Sequence, residues 1–165
     1  MSAATTAYAD SPSTVKPPIL KFIDEQGIAH ELTQSDFTKL PRSTAKVVNH
    51  GGKPAEYEGV ALGPFLESQG VKLGKGLRGK RLAEYLLFEA TDGYRVVLAL
   101  AEADPSTSSK TVLLADEKNG QPLPKNEGPW RLILPDEKRP ARWIRMIKQI
   151  AIESALAADK PKQSR

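Results

Sequence analysis

The sequence predicts an α+β domain built from mixed or antiparallel β-sheets with short helices and barrel-like curvature. Its apolar segments are short, rich in Val, Ile, Leu and aromatic residues, and separated by turn-forming pairs such as Asp92-Gly93 and Asn119-Gly120. Few of them carry the strand–helix–strand rhythm of a parallel doubly wound fold. At 165 residues the chain is long enough for one real hydrophobic core and too short for two comfortable domains. With 39% apolar and 27% charged residues it has the composition of an ordinary globular domain, and no stretch approaches the apolar length a bilayer requires.

The elements follow in order. Residues 1–17 are small, polar and Pro-containing and read as an unstructured leader; the domain proper spans 18–153, and 154–165 read as a flexible tail. "ILKFIDEQGIAHELT" alternates about a Glu-Gln-Gly turn and predicts a hairpin, Ile19 to Ile23 against Ile28 to Leu32. Thr33 then caps a short helix, "QSDFTKL", which ends before Pro41. Strands near Ala45 to Asn49 and Ala55 to Glu58 flank Gly51-Gly52. "LGPFLESQG" places Leu62, Phe65 and Leu66 on one helical face, and Gly70 stops it. "KGLRGKR" reads as an exposed basic loop.

"EYLLFEATDGYRVVLAL" is the clearest hairpin, its turn supplied by Asp92-Gly93. "AEADP" gives a turn of helix. "TVLLAD" and "WRLIL" read as buried strands joined by a turn-rich link through Asn119-Gly120. "KRPARWIRMIKQIAI" begins as an irregular basic turn and ends as a strand.

Composition removes several classes of chemistry. Without a single cysteine the chain has no disulfide, no thiolate metal ligand and no cysteine nucleophile. His30 and His50 are its only histidines, so a zinc site would need carboxylates at a spacing that is not present. The net charge of +4 is mild, its basic residues are interspersed with acids, and nucleic acid is not expected as a partner. No G-x-S-x-G elbow supports serine chemistry. The adjacent carboxylates Asp116 and Glu117 would face apart in a strand.

Each polar candidate has a plain structural alternative. His50 with Gly51 and Gly52 is ordinary turn chemistry, or a place where backbone closely approaches a ligand. Arg139, Arg142, Arg145 and Lys148 form either a solvated face or an anion pocket. Trp130 and Trp143 read first as core, while Trp143 lies in an irregular stretch where its indole could stack on a flat ring. Strand-end loops cluster in a domain of this size, and a rigid sheet can gather such residues into one binding site.

"YEGVALGPFLESQGV", "ATDGYRVVLALAEADP", "VLLADEKNGQPLPKNEGPWRLILP" and "RPARWIRMIKQI" occur in that order. Together they resemble the oxidoreductase molybdopterin-binding domain of the sulfite oxidase type, from about Ile19 to Ile152. The resemblance implies mixed β-sheets with short helices whose strand-end loops embrace a pterin. In enzymes of that family a cysteine thiolate near this first loop binds molybdenum; here the loop reads Val48-Asn49-His50-Gly51-Gly52. Molybdenum prefers that soft donor, so its loss argues against the molybdenum cofactor and for binding a pterin without catalysis.

The resemblance places His50, Gly51 and Gly52 at the ligand's edge, with Asp92, Tyr94 and Arg95 from the facing hairpin and Asp116, Asn126 and Glu127 from the next loop. Arg139 and Arg142 would meet a hydroxyl or phosphate tail, and Trp143 would stack. Two alternatives stand beside this reading: an oxidoreductase that holds its metal through the pterin or a partner subunit, and a ligand-free interaction domain. The Ala7-Tyr8-Ala9 triplet has the form of a signal-peptidase site. With the exported relatives of the family, it leads to the expectation of a periplasmic accessory protein working through a membrane-anchored signalling or redox partner, without inserting into the membrane itself.

Overall fold

The computed structural model describes residues 16–48 and 52–156. His50 and Gly51, and the ends of the leader and tail, therefore lie outside the described residues. Two sheets make up the molecule. The first has the order β2-β1-β10-β5-β6, from β1 (Ile19–Ile23), β2 (Ala29–Thr33), β5 (Glu84–Ala90), β6 (Arg95–Ala99) and β10 (Ile147–Ser154). Its neighbours are antiparallel except β1 and β10, which run parallel with Phe22 opposite Ile150. The second is antiparallel, with the order β3-β4-β7-β8, from β3 (Ser43–Val48), β4 (Pro54–Ala61), β7 (Leu113–Lys118) and the two-residue β8 (Gln121–Pro122). A short β9 (Arg131–Ile133) also pairs with β7.

Local chemistry accounts for the connections. Helix α1 (Gln34–Thr38) starts in a reciprocal cap: the Asp36 amide donates to Thr33 Oγ1 at 3.2 Å and the Thr33 amide donates to the Asp36 carboxylate at 3.0 Å. Helix α2 (Leu62–Ser68) buries Leu62, Phe65 and Leu66, the three residues its periodicity selects. Asn119 and Gly120 turn β7 into β8 with φ of 52° and 74°, the paired positive values that a two-residue hairpin turn needs. The expected basic loop instead forms short 3-10 turns at Gly74–Gly76 and Gly79–Ala83. Arg81 folds inward there, donating to the carbonyls of Lys72 and Gly76 and pairing with Glu25 and Glu84.

The strand period of two gives the second sheet two apolar faces. One row, Val60, Leu114 and Leu132, joins Leu20, Phe22, Leu86, Phe88, Leu98 and Ile150 of the first sheet, with Phe65 and Trp130, in the main core. Trp130 is 1% exposed and packs edge-on against Phe37, so it belongs to the core. The opposite row, Ala45, Val47, Ala55, Tyr57, Leu113, Ala115 and Ile133, forms a second, smaller cluster. Trp143 packs against both clusters, and the chain from 134 to 143 crosses this outer face. A hollow opens there.

Candidate functional site

Strand β4 carries Tyr57 onto the outer face of the second sheet, where its ring is 1% exposed. Two cations flank that ring: Lys118 Nζ lies 5.4 Å and the Arg131 guanidinium 5.5 Å from its centroid. Glu127 ties them together, accepting from Lys118 Nζ at 3.1 Å on one oxygen and from Arg131 Nη1 at 2.5 Å on the other. Arg131 Nη1 also donates to the Tyr57 hydroxyl at 3.2 Å. Burial alone would raise the Glu127 carboxyl. Its hydrogen bond to Lys118 and the charge of Arg131 outweigh that and hold it below the ordinary carboxylate range. Lys118 is raised for the mirror-image reason, the Glu127 contact overcoming its desolvation.

These groups form the floor of a cavity of about 640 Å³, whose walls include Lys46, Val48, Glu137, Lys138 and Trp143. The Trp143 indole is held by a 3.0 Å bond from Nε1 to the Leu134 carbonyl. Arg131 Nε is buried and has no hydrogen-bond partner among the described residues. A second hollow of about 300 Å³, lined by Asp92, Tyr94 and Arg145, has Arg131, Pro140 and Trp143 in common with the first. Tyr94 is fixed there by its hydroxyl, which donates to the Ala141 carbonyl at 2.9 Å.

Of the residues expected at one site, the structure thus places Glu127 on the larger hollow, Asp92 and Tyr94 on the adjacent smaller one, and Trp143 on both. Gly52 opens the approach to β4 with φ of 71° and lines neither hollow. Asn126 and Arg139 are exposed and also line neither.

Three expected residues point elsewhere. Arg95 pairs with Glu89 at 3.1 Å, on the solvent side of the first sheet. Asp116 is the extra residue of a β-bulge: Glu117 opposes Glu58 and Ala115 opposes Gly59, with Asp116 between them. The bulge turns its carboxylate to Arg42 at 2.7 Å and Gln34 at 2.9 Å. Arg142 is consumed by Glu137 and Glu102 and by the Val97 carbonyl, stapling the 137–142 segment to β6.

Sequence reasoning passed over Tyr57, Lys118, Arg131 and Lys138. Tyr57 alternates correctly for a core residue of β4, and nothing local distinguishes the two faces of that strand. Arg131 had a visible signal, a charged residue inside the apolar run "WRLIL".

A profile described as the oxidoreductase molybdopterin binding domain matches residues 29–159. The chain belongs to that family. The molybdopterin-binding fold also emerges from solved structures: the sulfane dehydrogenase SoxCD of Paracoccus pantotrophus superposes with a TM-score of 0.62 at 19% identity over 84% of this chain. This chain spans 39% of the SoxCD chain it matches. Comparison with curated proteins finds no match.

The cofactor that names the family can be tested against this chain's donors. No cysteine occurs in the 165 residues, and among the described residues no three His, Asp or Glu side chains converge as metal ligands. The donor set does not fit a protein thiolate bond to molybdenum. The organic part faces different requirements, namely a flat-walled hollow with hydrogen-bonding groups, and Tyr57, Trp143, Glu127, Lys118 and Lys138 provide those groups around one cavity.

Proposed function

We propose that this protein binds a pterin in the larger hollow without molybdenum redox chemistry, as an accessory ligand-binding protein. One observation carries the reading: in a family defined by its molybdopterin site, a cysteine-free chain has a hollow with a carboxylate held ionised between two cations and an indole beside them. Glu127 uses one lone pair on each oxygen for Lys118 and Arg131, so each oxygen keeps capacity for the two N–H donors of an aminopyrimidine edge. Lys138 donates to the oxo edge or tail, and Trp143 offers its face to the bicyclic ring. Export to the periplasm, supported by the Ala7-Tyr8-Ala9 triplet, belongs to this proposal, as does action through a membrane-anchored signalling or redox protein.

Membership of the family favours a second reading, an oxidoreductase that holds the complete cofactor through its pterin. Titration of the purified chain with reduced pterins under anaerobic conditions, with metal analysis of protein from a cofactor-competent host, separates the two. Micromolar or tighter binding, weakened about tenfold by W143A, is the expected result. Stoichiometric molybdenum establishes the second reading. Silence across the pterin panel with no metal leaves a ligand-free interaction domain.

A further inference from the structure

The smaller hollow asks for a ligand with more than a bicyclic ring. It adjoins the larger one, sharing Arg131, Pro140 and Trp143 with it, and its lining includes Tyr94, which is 52% exposed yet tethered through its hydroxyl to the Ala141 carbonyl. A large aromatic face held rigid in solvent is poised for stacking at little entropic cost.

The charges around the two hollows divide into two groups. Inside, Lys118 and Arg131 share the single carboxylate of Glu127, and outside the hollows Arg142 is paired with Glu102 and Glu137. At the rims, Lys138 beside the larger hollow and Arg145 beside the smaller are exposed and make no ion pair with any described residue. The rims therefore offer two cations without an acidic partner among the described residues, placed to meet negative charge on a ligand. Asp92, the one acid in the smaller hollow, accepts the Tyr94 amide on Oδ1 at 3.0 Å and has its other oxygen available for an N–H.

On the reading that the larger hollow takes a pterin, we infer that the ligand carries an acidic aryl tail of the p-aminobenzoylglutamate type, as in reduced folates. The aryl ring lies in the smaller hollow against Tyr94 and Trp143, an N–H of the tail donates to Asp92, and the terminal carboxylates meet Arg145. A phosphate tail would use the rim cations but leave the aromatic hollow without a function.

Anaerobic titration of the full chain with 6-methyltetrahydropterin and with 5-formyltetrahydrofolate, followed by tryptophan fluorescence, tests this. The folate binds about tenfold more tightly, from one added stacking contact and one charge-assisted contact. Y94A and R145Q each reduce that advantage several-fold, and the double variant abolishes it, while the tailless pterin keeps its Kd within twofold. Equal or weaker binding of the folate overturns the inference and leaves the pterin reading intact, as does an advantage that survives both variants. Failure of both compounds to bind overturns the pterin reading and this one with it.

Discussion

Glu127 is the residue whose replacement tests the site's electrostatics most directly. E127Q keeps the shape of the side chain and removes its charge, leaving Lys118 and Arg131 facing each other across Tyr57. Both ion contacts are short, at 3.1 and 2.5 Å, and the carboxylate side chain is only 14% exposed. Hydrogen bonds to charged groups contribute about 1.5–3 kcal/mol when buried; the glutamine keeps one neutral bond and solvent reaches the cations, so the net loss is about 1–2 kcal/mol. For a domain of this size that lowers Tm by about 3–6 °C at pH 7.

The pH dependence gives the sharper test. The folded carboxyl sits below its ordinary value of 4.5, so its contribution is complete above that value and disappears as pH falls through the depressed folded one. The glutamine variant has no such titration. Thermal melts of both proteins from pH 7 to pH 3 should therefore show the wild-type advantage shrinking only in the acid range. A gap that is absent at pH 7, or stays constant down to pH 3, refutes the assignment of Glu127 as the charged clamp of the hollow.

Two further substitutions probe the frame that holds the site. G59A would place a Cβ 2.0 Å from the Leu114 carbonyl oxygen and 2.5 Å from Ala115 Cα, both backbone atoms of the neighbouring strand that cannot rotate away. The expected cost is about 3 kcal/mol or more in urea unfolding, and a loss under 1 kcal/mol would show that the bulge opens easily. D116N leaves the Arg42 guanidinium without its closest charge partner, although Glu58 remains at 3.1 Å. It should cost about 2–3 kcal/mol in the same assay while leaving pterin affinity unchanged, since the bulge directs this carboxylate away from the hollow; a matching loss of affinity would contradict that geometry.

The fold was legible because its signals are local. Alternation in "ILKFI" and "EYLLFEA", the Asp92-Gly93 and Asn119-Gly120 turns and the Thr33 cap each depend on residues a few positions apart, and each forms its expected element. The site was legible only where a residue's surroundings are also local. Asp92 and Tyr94 flank a tight turn, and Trp143 follows an irregular segment, so their exposure to a hollow could be anticipated. Asp116 was misplaced because its direction depends on one extra residue in the pairing of β7 with β4, a register between segments some 57 positions apart that no window of sequence reports. Arg142 was misplaced because its partner Glu102 lies 40 positions away, and together with the nearby Glu137 it holds the guanidinium away from the hollow.

The separation of the two apolar clusters explains how such a hollow can change its chemistry without disturbing the fold. The main core, between the sheets, contains none of the residues that hold charge around the cavity. Those residues sit on the opposite face of the second sheet, over a cluster of seven buried side chains, where the cations Lys118 and Arg131 share the carboxylate of Glu127. Changing the side chains around this hollow therefore opens no cavity in the inter-sheet core. The side chains that fix the fold and those that face the ligand answer to different neighbours, so a family fold at 19% identity to SoxCD can persist while its donor set departs from that of a molybdenum site.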